Sequence, residues 1–246
     1  MPRSILICLP DRDFDPTEVA TPWHRLREAG FRVTFATEHG APGAADPLLL
    51  TDVLFGKLGA LPDALARYER MIQTSEFTAP LQWADVDATR FDALLLPGGH
   101  AKGMRQYLES QALRRVVLAF WHPAKLVAAI CHGVVVLART VDPQTGQSVL
   151  HNRRCTALLK SLELSGWAAT AWKLGDYYRT YPEWVEHEVT RMLADRKQFA
   201  RGRAAWLPFV VKDANLVTAR WPKDAELFAA ELVQALAELG PRDSTN

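Results

Sequence analysis

The sequence predicts an α/β protein built on a doubly wound, mostly parallel sheet with helices on both faces. Two observations carry that expectation. The chain opens with a strand, a helix and a strand in immediate succession, and further strand-then-helix pairs follow near residues 91–119 and 125–139. Alternation of that kind gives parallel strands covered by helices.

In order, SILICL is a short apolar strand, DRDFDP a turn-prone stretch, and TEVATPWHRLREAG an amphipathic helix closed by Gly30. FRVTFAT completes the βαβ unit. Residues 38–60, rich in Gly, Ala and Pro, read as a loop excursion. Residues 61–76 read as a helix with apolar positions at Leu61, Leu65, Tyr68 and Ile72. FDALLL is a strand ending at Pro97-Gly98-Gly99, and a helix is expected over about 103–119. KLVAAI is a buried strand, with a helix leaving it from His132 to Arg139. NRRCTAL reads as a strand and PEWVEHEVTRML as a helix. PFVVKDANLVTARW reads as a hairpin turning at Lys212-Asp213-Ala214-Asn215, and DAELFAAELVQALAELG as a final helix ended by Gly240.

The 246 residues suffice for one large domain, 1–246, with additions at about 38–80 and 165–205. An apolar fraction of 48% with a net charge of +1 and no basic stripe argues against nucleic acid or an anionic membrane as the partner. The N-terminal apolar run, stopped by Pro10, is too short for a signal peptide, and no stretch is long enough to span a membrane. Three cysteines without metal-finger spacing suggest reduced thiols and a cytoplasmic protein. Histidines such as His24, His39, His100, His132, His151 and His187 are scattered, with no HxH or HxxxH pair, so no metal site is expected.

The chemistry concentrates in LVAAICHGVVV, where Cys131 and His132 interrupt an apolar run. A strand, a nucleophile and an immediate helix, with small residues two positions either side (Ala129 and Gly133), define a nucleophile elbow. The bend aims the thiol out of the sheet over a helix N-terminus, which is expected to lower its pKa. Cys8, in mid-strand, and Cys155 are expected to be inert packing residues. In PGGH, the glycines free the backbone to direct N–H groups, so Gly99 and the N–H of His132 are the candidate oxyanion hole. On spacing alone, Glu18 is an acid suited to the first turn of a helix. WKLGDYYRTYPEW is aromatic enough for a pocket wall, or simply for packing.

Taken together, LLLPGGH and VAAICHG, with DPTEVATPWHRLREAGFRVTFAT, Asp46-Pro47 and ANLVTARWP, resemble the ThiJ/PfpI superfamily. The resemblance implies a flavodoxin-like or class I glutamine amidotransferase-like sandwich. It places the family cysteine on Cys131 and the adjacent histidine on His132, the sulfur-bonding carboxylate on Glu18 and the oxyanion-hole glycine on Gly99. It further implies a small-molecule substrate, no cofactor and a homodimer. An acid that orients the histidine in one branch aligns with Lys160 here, and Glu163 is the nearest carboxylate. His100, Tyr177, Tyr178 and Arg179 are the candidate pocket residues. The leading functional expectation is a cysteine-dependent enzyme on a small carbonyl compound, in its most concrete form glyoxalase-type conversion of methylglyoxal to lactate. The alternatives are an amidase or peptidase-like hydrolase, and a redox-sensing stress protein or chaperone that uses oxidation of Cys131.

Overall fold

The computed structural model describes residues 2–51 and 59–239. Its first half runs β1 (Ser4–Cys8), β2 (Arg12–Phe14), α1 (Pro16–Glu28), β3 (Arg32–Thr37), β4 (Ala44–Ala45), α2 (Pro47–Thr51), α3 (Pro62–Met71), α4 (Ser75–Thr78), β5 (Leu81–Gln82) and β6 (Ala93–Leu96). There follow α5 (Arg105–Glu109), α6 (Gln111–Phe120), β7 (Leu126–Ile130), α7 (Gly133–Arg139), α8 (Lys160–Leu174), α9 (Val185–Met192), β8 (Val210–Asp213), β9 (Leu216–Ala219) and α10 (Ala225–Glu238).

Seven strands form one sheet in the order β5-β3-β1-β6-β7-β9-β8, parallel except for the antiparallel edge pair β8–β9. β1, β6, β7 and β9 are buried along their whole length, as expected of strands covered on both faces. α1, α3 and α10 pack together on one side, while α5, α6, α7 and α9 form the other layer. The chain leaves β1 toward β3 on one side, then returns to place β6 on the other. A crevice therefore opens at the carboxyl ends of β1 and β6, where ligands bind in open α/β sheets.

Local chemistry explains the element boundaries. Asp15 caps α1 by accepting from the N–H groups of Thr17 (2.7 Å) and Glu18 (3.2 Å), and Pro16 occupies the first turn. Gly30, at φ 82°, ends that helix as predicted. Several expectations change. DRDFDP contains a strand, β2, paired with β4 in a small second sheet. The helix expected over 103–119 breaks at Ser110, whose hydroxyl accepts from the Leu113 N–H and caps α6. The buried face of α3 is Ala64, Tyr68 and Met71, because the helix starts at Pro62 and leaves Leu61 67% exposed. NRRCTAL is not a strand: β8 occupies the sheet edge beyond β9, and Cys155 makes only an isolated bridge to Phe199. Part of the excursion, 52–58, and the helix-ending Gly240 lie outside the described residues. No helix among the described residues is long and apolar enough to cross a membrane.

Candidate active site

The elbow is built as the sequence implies. β7 ends at Ile130, Cys131 takes φ 57°, and α7 begins two residues later. A non-glycine residue in the left-handed region is strained by roughly 1–3 kcal/mol and must be held by its surroundings. The Cys131 N–H is tied to the Ala219 carbonyl (3.1 Å) at the end of β9. Gly133 lets the turn pass beneath β6, since a Cβ there would strike the carbonyls of Leu96 and Pro97.

Glu18 reaches this turn from the first turn of α1. Its Oε2 accepts from the Gly98 N–H at 2.8 Å, and its carboxyl adjoins the Cys131 thiol. The other oxygen, Oε1, is buried with no hydrogen-bond partner. Gly98, which sequence reasoning passed over for its neighbour, is wedged into this cluster. A Cβ on it would lie 2.7 Å from the His132 nitrogen and 2.9 Å from both the Cys131 Cβ and Glu18 Oε2. Gly99 instead backs onto Asp13, Phe14 and Met104. Its N–H has no acceptor among the described residues, while the His132 N–H points at the Cys131 sulfur.

Burial dominates the electrostatics. Glu18 is fully buried, and desolvation, with Asp15 beside it, holds its pKa well above the usual carboxylate range. Asp15 is itself raised to about 6 by burial. Both effects favour the protonated form of Glu18. The thiol of Cys131 is also pushed up, first by burial and then by the Glu18 and Asp15 carboxyls. The shift is thus opposite to the lowering expected from the helix N-terminus, because the sulfur is out of solvent. Cys8 and Cys155 are buried, and the Cys155 thiol is pushed up to about 12 by desolvation.

The His132 imidazole lies beside the sulfur. Its Nδ1 is 3.6 Å from Sγ, and its Nε2 is 3.2 Å from Thr180 Oγ1. Thr180 donates its single hydroxyl proton to the His100 carbonyl (2.5 Å). Its oxygen must then accept from Nε2–H, which leaves the Nδ1 lone pair facing the thiol. Burial keeps this ring neutral by depressing its pKa, with His100 and Arg139 adding to the effect.

The structure brings Cys131, His132, Glu18 and His100 together but keeps two candidates away. Glu163 does not touch His132. Its Oε2 accepts from the Val185 N–H (3.0 Å) at the start of α9, and its Oε1 lies 3.5 Å from Arg179. Arg179 stacks on Trp184 at 3.7 Å and donates to the Pro182 carbonyl. Both side chains thus fasten the segment between α8 and α9. The place behind the His132 ring, where an orienting acid would stand, is filled by a hydroxyl, Thr180, which follows the singled-out Tyr177, Tyr178 and Arg179 in the YYRTYPEW stretch. No carboxylate reaches the His132 ring among the described residues.

The side of the cluster beyond His132 is aromatic. The His100 ring meets His132 edge to face (4.9 Å between centroids) and Tyr178 at 6.2 Å, and Tyr178 packs against Tyr177 at 4.9 Å. The Tyr177 hydroxyl donates to Asp46 (2.9 Å), a buried acid that also caps α2 through the Leu48 N–H. His100 is driven down to about 4 by burial and is neutral.

A parallel α/β sheet with a buried cysteine on a strand-to-helix elbow, faced by a carboxyl and an imidazole, defines a class of cysteine-centred α/β proteins. A model of the ThiJ/PfpI family-like group matches residues 9–196, and the chain belongs to that family. An uncharacterized Schizosaccharomyces pombe protein, C14C4.04, is 32% identical over 148 residues, 56% of this chain and 55% of the relative, so the match spans about half of that protein's length. Glyoxalase 3 of Candida albicans is 22% identical over 89% of this chain and 87% of its own. Deglycase PfpI of Pyrococcus furiosus is 25% identical over 94% of this chain and 98% of its own. In three dimensions, glyoxalase III from Candida albicans superposes with a TM-score of 0.70 at 18% identity, covering 95% of this chain and 97% of that one.

Proposed function

We propose that the protein is a cysteine-dependent glyoxalase that converts small α-oxoaldehydes, methylglyoxal in the simplest case, into 2-hydroxy acids. The carrying observation is the buried cluster of Cys131 Sγ, the Glu18 carboxyl and the lone pair of His132 Nδ1 at 3.6 Å from the sulfur. The relatives named glyoxalase and deglycase support the same reading.

The steps balance without an external oxidant or reductant. The Cys131 sulfur adds to the aldehyde carbon as its proton passes to His132 Nδ1. Glu18 delivers its proton to the aldehyde oxygen, which gives a hemithioacetal and leaves a carboxylate beside C1. That carboxylate removes the C1 proton while the imidazolium protonates the C2 oxygen, forming an enediol. Glu18 returns the proton to C2, and the C1 hydroxyl gives up its own to the carboxylate, which leaves a thioester on Cys131. Water, activated by His132, hydrolyses it to the hydroxy acid and the free thiol. The N–H groups of Gly99 and His132 are the donors for the oxyanions that arise on the way. A carboxyl kept protonated by burial suits this sequence, because it acts first as acid and then as base.

The amidase reading has less support, since an imidazolium in hydrolysis of an amide is ordinarily stabilised by an anion and here faces a neutral hydroxyl. The test is methylglyoxal consumption and lactate formation without added glutathione. Wild-type protein should produce lactate and Cys131→Ala should not. Undiminished lactate production by that variant would refute the proposal.

A further inference from the structure

The sequence carries no metal-ligand spacing, yet the fold collects three metal-binding atoms from the ends of two neighbouring strands. One ring nitrogen each of His100 and His132 and the Sγ of Cys131 lie within 4.8 Å of one another. His100 follows β6 and the other two follow β7, so no sequence pattern links them. We propose that these residues form a site for a single soft divalent cation, Zn2+ or Cd2+, that reversibly blocks the active site. The inhibitory consequence rests on the function proposed above, whereas the binding itself does not.

The geometry points to this class of ion. A tetrahedral zinc with a Zn–S bond of about 2.3 Å and a Zn–N bond of about 2.0–2.1 Å separates its sulfur and nitrogen ligands by roughly 3.6 Å. The Sγ–Nδ1 distance is 3.6 Å. His132 is also prepared as a ligand. Its Nε2 is engaged by Thr180, so the lone pair on Nδ1 is directed at the sulfur, the arrangement by which a partner behind a metal-bound histidine fixes its tautomer. Packing against His132 and Tyr178 holds the His100 ring beside the same cluster. One thiolate and two imidazoles favour zinc-like ions over calcium or magnesium, which take oxygen ligands. Binding converts the thiol to thiolate with release of one proton, while the imidazoles bind as neutral donors. The ion then occupies both the sulfur and the Nδ1 lone pair that the reaction needs.

The experiment titrates the metal-free protein with Cd2+ and with Zn2+, following the ultraviolet thiolate-to-cadmium band and the heat of binding. Lactate formation is followed in parallel. One equivalent should bind, the band should disappear in Cys131→Ala, and His100→Ala should weaken binding at least tenfold. Thr180→Val, which leaves all three ligands in place, should weaken it about tenfold or more through the loosened imidazole. Wild-type lactate formation should fall with occupancy and return on addition of a chelator. A band that survives in Cys131→Ala would overturn the site, and so would a His100→Ala protein that binds as tightly as wild type. Circular dichroism of both variants separates lost ligation from lost folding, and His100→Gln provides a second removal of that ligand. Failure to make lactate with metal binding intact would refute the glyoxalase reading and leave the site standing.

Discussion

Replacing Thr180 by valine asks whether the His132 side chain takes part in the chemistry or only its backbone does. The substitution keeps the shape and removes the one oxygen that accepts from Nε2–H. It also removes the donor to the His100 carbonyl. Leaving a buried N–H without an acceptor costs about 1–3 kcal/mol. The ring can escape that cost by moving its proton to Nδ1, but the lone pair then no longer faces the sulfur. Either outcome raises the barrier to thiol deprotonation. At about 1.4 kcal/mol per factor of ten, the expected loss is roughly 10- to 100-fold in kcat/KM, carried by kcat. The assay is initial-rate lactate formation from methylglyoxal alongside Tm, with Thr180→Ser as the conservative variant that should recover most of the rate. If Thr180→Val keeps kcat within twofold of wild type while Cys131→Ala is inactive, the imidazole is a bystander.

Gly98→Ala should abolish activity and lower Tm, because its Cβ would press on the His132 backbone nitrogen and the Cys131 Cβ, which cannot withdraw, and would push Glu18 Oε2 aside; a fully active, stable variant would show the cluster to be loosely packed. Glu163 has a folded pKa raised to about 7 by burial, so its contribution to stability is fully present below about 4.5 and is lost as pH rises through 7. That interval corresponds to on the order of 3 kcal/mol; denaturant unfolding at pH 4.5 and 8 should show the loss in wild type and a flatter profile in Glu163→Gln, and parallel profiles would contradict it. Asp224→Asn should cost about 3–5 kcal/mol by leaving Arg220 charged and unpaired, since both side chains are 0% exposed. Scanning calorimetry should register a fall in Tm of roughly 6–20 °C, and a shift below 2 °C would mean that the Arg220 bonds to the carbonyls of Arg201, Ala204 and Leu207 suffice alone.

The parts of this molecule that were legible in the sequence are those determined by local periodicity and punctuation. Gly30 ends α1, Pro97-Gly98-Gly99 ends β6, and Ala129-Ile130-Cys131-His132-Gly133 makes the elbow, because each depends on backbone geometry that only certain residues tolerate. The parts that were not legible depend on contacts between distant segments. Choosing between Gly98 and Gly99 requires knowing which carbonyls and side chains lie across the turn. Thr180 is 48 residues from His132 and is an ordinary threonine until the chain folds it onto the ring. Glu163 and Arg179 carry the residue types a site needs, yet their charges are spent on the Val185 N–H and on the Trp184 face. The thiol pKa failed for a related reason: helix position is visible in a sequence, whereas complete burial of the sulfur is a property of the packed whole.

These particulars bear on how such a site stays unreactive at rest. A triad with a buried anion behind its histidine favours an imidazolium and a standing thiolate. Here no anion stands behind the ring among the described residues, and burial favours the neutral imidazole, the protonated Glu18 and the protonated sulfur. Every group needed for proton transfer is therefore in place without charge having separated. In the proposed reaction a carbonyl carbon entering beside the sulfur supplies the missing drive, because the oxygen that becomes negative is met by a carboxylic acid rather than by a carboxylate. In that reaction charge appears only while substrate is bound, and burial, which would penalise a permanent ion pair, instead strengthens the hydrogen bonds that form in the transition state. The neutral hydroxyl of Thr180 belongs to that economy: it orients the ring without stabilising a charge that the resting site does well to avoid.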